Sequence, residues 1–96
     1  MLTIRHDKTN HEFIVVIEGQ VASLKYRVLP GREVLNYYET FVPPQMRGRS
    51  IGRALVKFAL DYANETQHQI IPSCSFVKHF IDENPDYQRL IYVDVI

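Results

Sequence analysis

The sequence predicts an α+β domain, α/β-like in its second half: an antiparallel strand meander, then a strand-helix-strand unit, then a C-terminal helix. Three observations predict it. The first half holds β-branched, alternating segments cut by glycine and proline turns. At Ile51 the apolar period changes from two residues to that of a helix. A short strand, His68 to Ile71, ending at Pro72, then separates two helical stretches.

Each element has its own signature. His11 to Glu18 contains Phe13-Ile-Val-Val-Ile17, whose branched side chains suit a pleated surface. Val21 to Leu29 alternates Leu24, Tyr26 and Val28 against Ser23, Lys25 and Arg27, the pattern of a half-exposed strand. The short Gly19-Gln20 link makes these two an antiparallel hairpin. Pro30-Gly31 marks the next turn, and Glu33 to Val42 is the third strand, stopped by Pro43-Pro44. Met1 to Arg5 is expected to add an edge strand. Ile51, Ala54, Leu55, Phe58, Ala59 and Tyr62 form one apolar stripe of a helix over 51–64, with Ser50 as its N-cap. After strand 68–71, Ser75 is expected to cap a second helix. Phe76, Val77, Phe80 and Ile81 form its buried face, and Asn84-Pro85 stops it. The tail, Leu90 to Ile96, is too apolar to hang free and is expected to be packed or paired.

Size and composition narrow the function. Ninety-six residues, 1–96, suffice for a single domain with one core. Eleven basic and eleven acidic side chains give zero formal charge, which argues against a surface built to bind nucleic acid. No apolar run reaches a membrane span and the N-terminus lacks a signal-like apolar stretch, so no membrane partner is expected. The one cysteine, Cys74, has no partner for an internal disulfide, which suits a reducing, cytoplasmic setting. His6, His11, His68 and His79 show no metal-ligand spacing, and they read as surface residues.

The most informative stretch is Val42-Pro-Pro-Gln-Met-Arg-Gly-Arg-Ser-Ile-Gly-Arg-Ala-Leu55. A strand, an arginine- and glycine-rich turn and a helix start in succession make an anion cradle. Free amides and the positive end of the helix dipole point at phosphate, and guanidiniums add charge-assisted contacts. The alternative is a solvated basic face formed by Arg47, Arg49, Arg53 and Lys57.

If strands 33–42 and 68–71 are parallel, the turn at 43–50 and Ser73-Cys74-Ser75 leave the same edge of the sheet. That is the edge where open α/β sheets bind ligands. Cys74 would then start a helix, whose dipole favours a nucleophilic thiolate; a buried, inert thiol is the plainer alternative. Glu39 is either an exposed strand carboxylate or a general base, and the second role needs partial burial. Tyr87 is either a packing residue or an acid at the rim.

The turn resembles the acetyl-CoA pyrophosphate motif of the GNAT acetyltransferases, Arg/Gln-x-x-Gly-x-Gly/Ala. Arg47 matches its first position and Gly52 its last, and Ser50 stands where the family usually has its middle glycine. Ile70-Ile-Pro-Ser-Cys-Ser-Phe-Val77 and Asn84-Pro-Asp-Tyr87 are similar to the small, single-domain YjdJ-type branch, in which Ile-Pro-x-Cys sits beside the bound thioester. The resemblance spans roughly residues 4 to 91 and implies a reduced GNAT fold. It implies acetyl transfer from acetyl-CoA, without a metal, to an amine-bearing acceptor. Phe41, Val42, Arg47, Gly48, Arg49, Ser50, Ile51, Gly52, Arg53 and Cys74 would hold the donor, and Cys74, Glu39 and Tyr87 are the catalytic candidates. The branch often carries histidine where this chain has Glu39, so its base is not matched by identity. Two rivals stand beside this reading: a CoA-binding regulatory module with little catalysis, and an ATP-binding protein, against which the missing Gly-x-x-x-x-Gly-Lys pattern counts. A monomer or weak homodimer is expected.

Overall fold

The computed structural model describes residues 2–93. These form one mixed five-stranded sheet in the order β1 (Arg5–Asp7), β2 (Glu12–Ile17), β3 (Gln20–Val28), β4 (Val34–Phe41), β5 (Gln69–Pro72). Helix α1 (Ile51–Glu65) joins β4 to β5, and α2 (Ser75–Glu83) follows. Short 3₁₀ segments occupy Pro44–Met46 and Pro85–Leu90. No helix among the described residues is long and apolar enough to cross a membrane.

The first four strands pair antiparallel and β4 pairs parallel with β5. The β2–β3 link is Glu18-Gly19, one residue earlier than expected. Both residues have positive φ, 51° and 77°, as the twist-matched hairpin turn requires. The edge strand is also displaced, from Met1–Arg5 to Arg5–Asp7. Pairing His6 with Phe13 lets the imidazole stack on the phenyl ring at 4.3 Å, which residues 1–5 could not do. His6 is therefore half-buried rather than a surface histidine, and its Nε2 lies 2.6 Å from the Tyr26 hydroxyl. His68 is half-buried as well, with its ring stacked on Tyr62. Between Lys25 and Tyr26 the β3–β4 register shifts and leaves Tyr38 as an extra residue on β4. Such a bulge bends a strand and re-aims the side chains beyond it.

One apolar core joins the sheet to both helices. Phe13, Leu24, Tyr37 and Ile70 meet Leu55, Val56, Leu60, Val77 and Ile81, all essentially solvent-free. Burying side chains of this kind contributes about 1.5–3 kcal/mol each relative to exposure. The Tyr37 hydroxyl, deep in this core, donates to the Ala59 carbonyl at 2.6 Å. The expected α1 stripe is half right. Ile51, Leu55 and Ala59 are buried, but Phe58 is 39% exposed, while Val56, Leu60 and Ala63 are buried instead. The helix touches α2 and the second 3₁₀ segment as well as the sheet, so its apolar arc turns toward them.

Neither expected cap forms. Ser50 occupies the N-cap position of α1 with φ 59° and ψ 22°, a left-handed conformation, and its side chain makes no capping bond. A conventional N-cap needs extended backbone. In α2 the N-cap residue is Cys74 rather than Ser75, which is the first helical residue. Asn84 ends α2 as expected, its side-chain amide donating to the Phe80 carbonyl. The tail pairs in its described part: Ile91 bridges Ile70 in parallel, and the Tyr92 amide donates to the Ile70 carbonyl at 2.8 Å. Residues 94–96 of the expected tail lie outside the described residues.

Candidate functional site

Parallel pairing of β4 with β5 brings the arginine-rich turn and Cys74 to the same end of the sheet. A cleft of about 520 Å³ opens there, lined by Thr40, Phe41 and Val42 of β4 and its end, Met46 to Gly48, Ser50 to Arg53, and Phe76 of α2. Pro43 and Pro44 stop the strand, and the 3₁₀ turn then carries the chain around to α1. Gly48, at φ 82°, and Ser50 both adopt left-handed backbone in this turn. The first bond into the helix is Ala54 N–H to the Ser50 carbonyl. The amides of Ile51, Gly52 and Arg53 thus precede any intrahelical acceptor, and Ser50 does not cap them. They are free to take an anion.

Gly52 also has a packing reason to be glycine. A Cβ built on it would lie 3.0 Å from Cε2 and Cζ of Phe76 and 3.4 Å from a Val42 methyl. Two residues of the cleft wall thus pack directly on its backbone, and a side chain there would push the Phe76 ring aside. Three arginines surround the turn in three different states. Arg47 donates through Nε to the Val42 carbonyl at 3.1 Å, which ties it to the cleft's strand wall. Arg53 pairs with Glu83 at 2.7 Å, with its guanidinium over the Phe80 ring. Arg49 turns away and lines a neighbouring cleft with Leu2, Thr3, Val15 to Ile17 and Ile51.

Cys74 does not line the cleft itself but lies next to it, against Thr40 of its wall. Its amide donates to the Tyr37 carbonyl at 3.0 Å, and its Sγ lies 3.5 Å from the Thr40 hydroxyl. Burial pushes the thiol up. Hydrogen bonding from the Thr40 hydroxyl and from the Val77 and Phe76 amides outweighs it, so the thiol lies below its ordinary value. That environment favours a thiolate, the nucleophilic form.

The other two catalytic candidates are elsewhere. Glu39 is 52% exposed and lies 3.8 Å from Lys25. Strand alternation puts it on the face opposite Thr40, so it lacks the burial that a general base would need. Tyr87 lines a separate depression with Asp61, Asn64, Glu83 and Arg89, and its hydroxyl donates to Asp61 at 2.7 Å. Burial and that carboxylate raise its pKa, which makes it a poorer acid donor. Sequence reading missed three wall residues: Thr40, Met46 and Phe76. Phe76 was expected in the core but is 40% exposed at the cleft. The available signal was adjacency, since both Thr40 and Phe76 lie within two positions of residues already singled out. Among the described residues no cluster of three or more His, Cys, Asp or Glu could hold a metal ion.

Known proteins resemble this chain in sequence and in fold. The family model of the GCN5-related N-acetyl-transferases matches residues 12–90. Protein NATD1 of Danio rerio is 32% identical over 91 residues, covering 93% of this chain and 82% of that protein. The Homo sapiens NATD1 is 31% identical over the same length, covering 80% of that protein. A GCN5-like protein from Staphylococcus aureus, solved by NMR in solution, superposes with a TM-score of 0.72 at 27% identity. That match covers 98% of this chain and 91% of that one. The matched segment contains the turn, the cleft and Cys74, and the fold agrees across nearly the whole chain. This chain belongs to the GCN5-related N-acetyltransferase family.

Proposed function

We propose that this chain takes an acetyl group from acetyl-CoA and delivers it to an amine. One observation carries the reading: a single cleft has unbonded helix amides at one end and, at the other, Thr40, whose hydroxyl lies 3.5 Å from the Cys74 sulfur. Acetyl-CoA supplies, when bound, an acetyl group activated as a thioester. The residues present fit it. Ile51, Gly52 and Arg53 offer amides to the pyrophosphate, and Arg47 and Arg53 add positive charge. Val42, Met46, Ile51 and Phe76 give the pantetheine arm an apolar wall.

Among the described residues no carboxylate, imidazole or thiol lines the cleft, and Cys74 is the titratable nucleophile in contact with its wall, through Thr40. Two routes are open to it. In the first, the acceptor amine attacks the acetyl carbonyl directly, the CoA thiolate leaves, and the amine's proton passes to water or to Cys74. In the second, the Cys74 thiolate attacks, CoA leaves as thiolate, and the amine then takes the acetyl group and restores the thiolate. Glu39 has no part in either. The reading includes a reducing, cytoplasmic setting that keeps Cys74 a thiol.

The cleft's lack of a carboxylate or imidazole also favours a second reading, a CoA-binding regulatory module. Steady-state turnover over a broad amine panel separates the two: CoA release dependent on amine supports transfer, and binding without turnover supports the module. Intact-protein mass spectrometry after mixing with acetyl-CoA separates the routes. A 42 Da adduct (roughly one acetyl group) that Cys74→Ser abolishes identifies the second route.

A further inference from the structure

The extra residue on β4, Tyr38, decides which side chain of that strand reaches Cys74. Tyr37 pairs with Tyr26, and both face the core. Unbroken alternation would pair Glu39 with Leu24 and turn its carboxylate toward the same face. The register shift instead pairs Glu39 with Lys25 and Thr40 with the buried Leu24. A hydroxyl takes the inward place, and the carboxylate goes to the opposite face. Thr40 then has two contacts at once: it lines the cleft, and its hydroxyl lies 3.5 Å from the Cys74 sulfur. Ser50 is the other hydroxyl of the cleft wall, but its side chain makes no capping bond and lies at the turn. The guanidiniums of Arg47 and Arg53 stay charged and accept no proton. Among the described residues, Thr40 is therefore the proton-exchanging side chain that joins the cleft to a titratable group.

We infer that Thr40 relays the acceptor's proton from the cleft to the Cys74 thiolate; this rests on the acetyl-transfer reading above and follows its first route. A thioester held in the cleft meets the Thr40 hydroxyl, whereas the sulfur lies beside the wall rather than in it. The amine nitrogen bonds to the acetyl carbon, the carbon–sulfur bond to CoA breaks, and its electron pair leaves on the CoA sulfur. The amine's N–H proton passes to Thr40 Oγ1 as the hydroxyl's own proton passes to Cys74 Sγ. The Cys74 thiol then returns that proton through solvent to the CoA thiolate, which restores both side chains. Cys74 is never acetylated. A hydroxyl both accepts and donates, so it can pass a proton on; a methyl group in the same space cannot.

Steady-state acetyl transfer to a primary alkylamine, a polyamine and a lysine-containing peptide, followed by loss of thioester absorbance, tests this. Thr40→Ser keeps the hydroxyl and should stay within about threefold of the parent in kcat/KM. Thr40→Val should lose about 100-fold, the lower end for general base catalysis, and Cys74→Ser a similar factor. The double variant should lose no more than the worse single one, because both groups act on one proton path. In Thr40→Val the limb of the kcat/KM pH profile that reports the thiol should vanish, while CoA affinity in calorimetry moves by about threefold at most. Parent-like turnover by Thr40→Val, losses that multiply in the double variant, or an acetyl adduct on Cys74 of the parent overturns the relay, and the acetyl-transfer reading survives each. CoA binding by the parent without turnover of any of the three amines overturns both.

Discussion

Ser50→Gly should stabilise this protein, although it removes a serine from a helix start. Ser50 sits at φ 59° and ψ 22°. For a residue with a Cβ, that left-handed conformation costs about 1–2 kcal/mol. Its hydroxyl makes no capping bond, so nothing offsets the cost locally. Glycine relieves the strain and returns roughly 0.5–1 kcal/mol as extra chain entropy in the unfolded state. The net gain is about 0.5–1 kcal/mol. With a urea slope near 1 kcal/mol/M, the midpoint should rise by about 0.5–1 M at unchanged slope. In a thermal melt the gain corresponds to roughly 3–6 °C for a domain of this length. Ser50→Ala is the control. It keeps the left-handed strain and loses no cap, so it should stay within about 0.5 kcal/mol of the parent. A Ser50→Gly variant that is less stable than the parent, or a Ser50→Ala variant that loses 1 kcal/mol or more, would refute this reasoning.

The same geometry gives three further outcomes. Gly52→Ala should leave stability within about 1 kcal/mol, because helix propensity gained offsets the crowding of a movable Phe76 ring. The same change should weaken CoA binding in calorimetry by about tenfold or more, and unchanged affinity would remove Gly52 from the site. Thr40→Val should slow iodoacetamide modification of Cys74 at neutral pH and move its pH profile upward, whereas Thr40→Ser should not. The linked stability has the same sign: the lowered thiol stabilises the fold above the unfolded-chain value, and the contribution fades as pH falls through the folded value. Tyr37→Phe should cost about 1–2 kcal/mol in urea unfolding, since it deletes a buried hydrogen bond to Ala59 while keeping the ring.

The strand meander, the β4–α1–β5 crossover and the placement of Cys74 beside the turn were legible because period and punctuation are local. Residues 33–42 and 51–64 needed only alternation and a helical stripe. Side-chain assignments failed where two neighbours were both apolar. Phe76 and Val77 read alike, and the docking of α2 on α1 alone decides that Val77 goes inward while Phe76 faces the cleft. The same docking moved the buried arc of α1 from Phe58 to Val56 and Leu60. The left-handed state of Ser50 leaves no mark in composition, because serine is also a favoured ordinary cap. Glu39 was misplaced by one pleat: its neighbour Thr40 faces Cys74, and the carboxylate faces Lys25. Tyr87 lies within reach of Asp61 because the second 3₁₀ segment packs against α1, a contact with no local signature.

An amide-resolved NMR titration with acetyl-CoA tests the central claim most directly. Saturable shifts concentrated at Phe41, Val42, Gly48, Ile51, Gly52, Arg53 and Phe76 are the predicted result. Shifts centred on Asp61, Asn64 and Tyr87, or none at millimolar ligand, would contradict it.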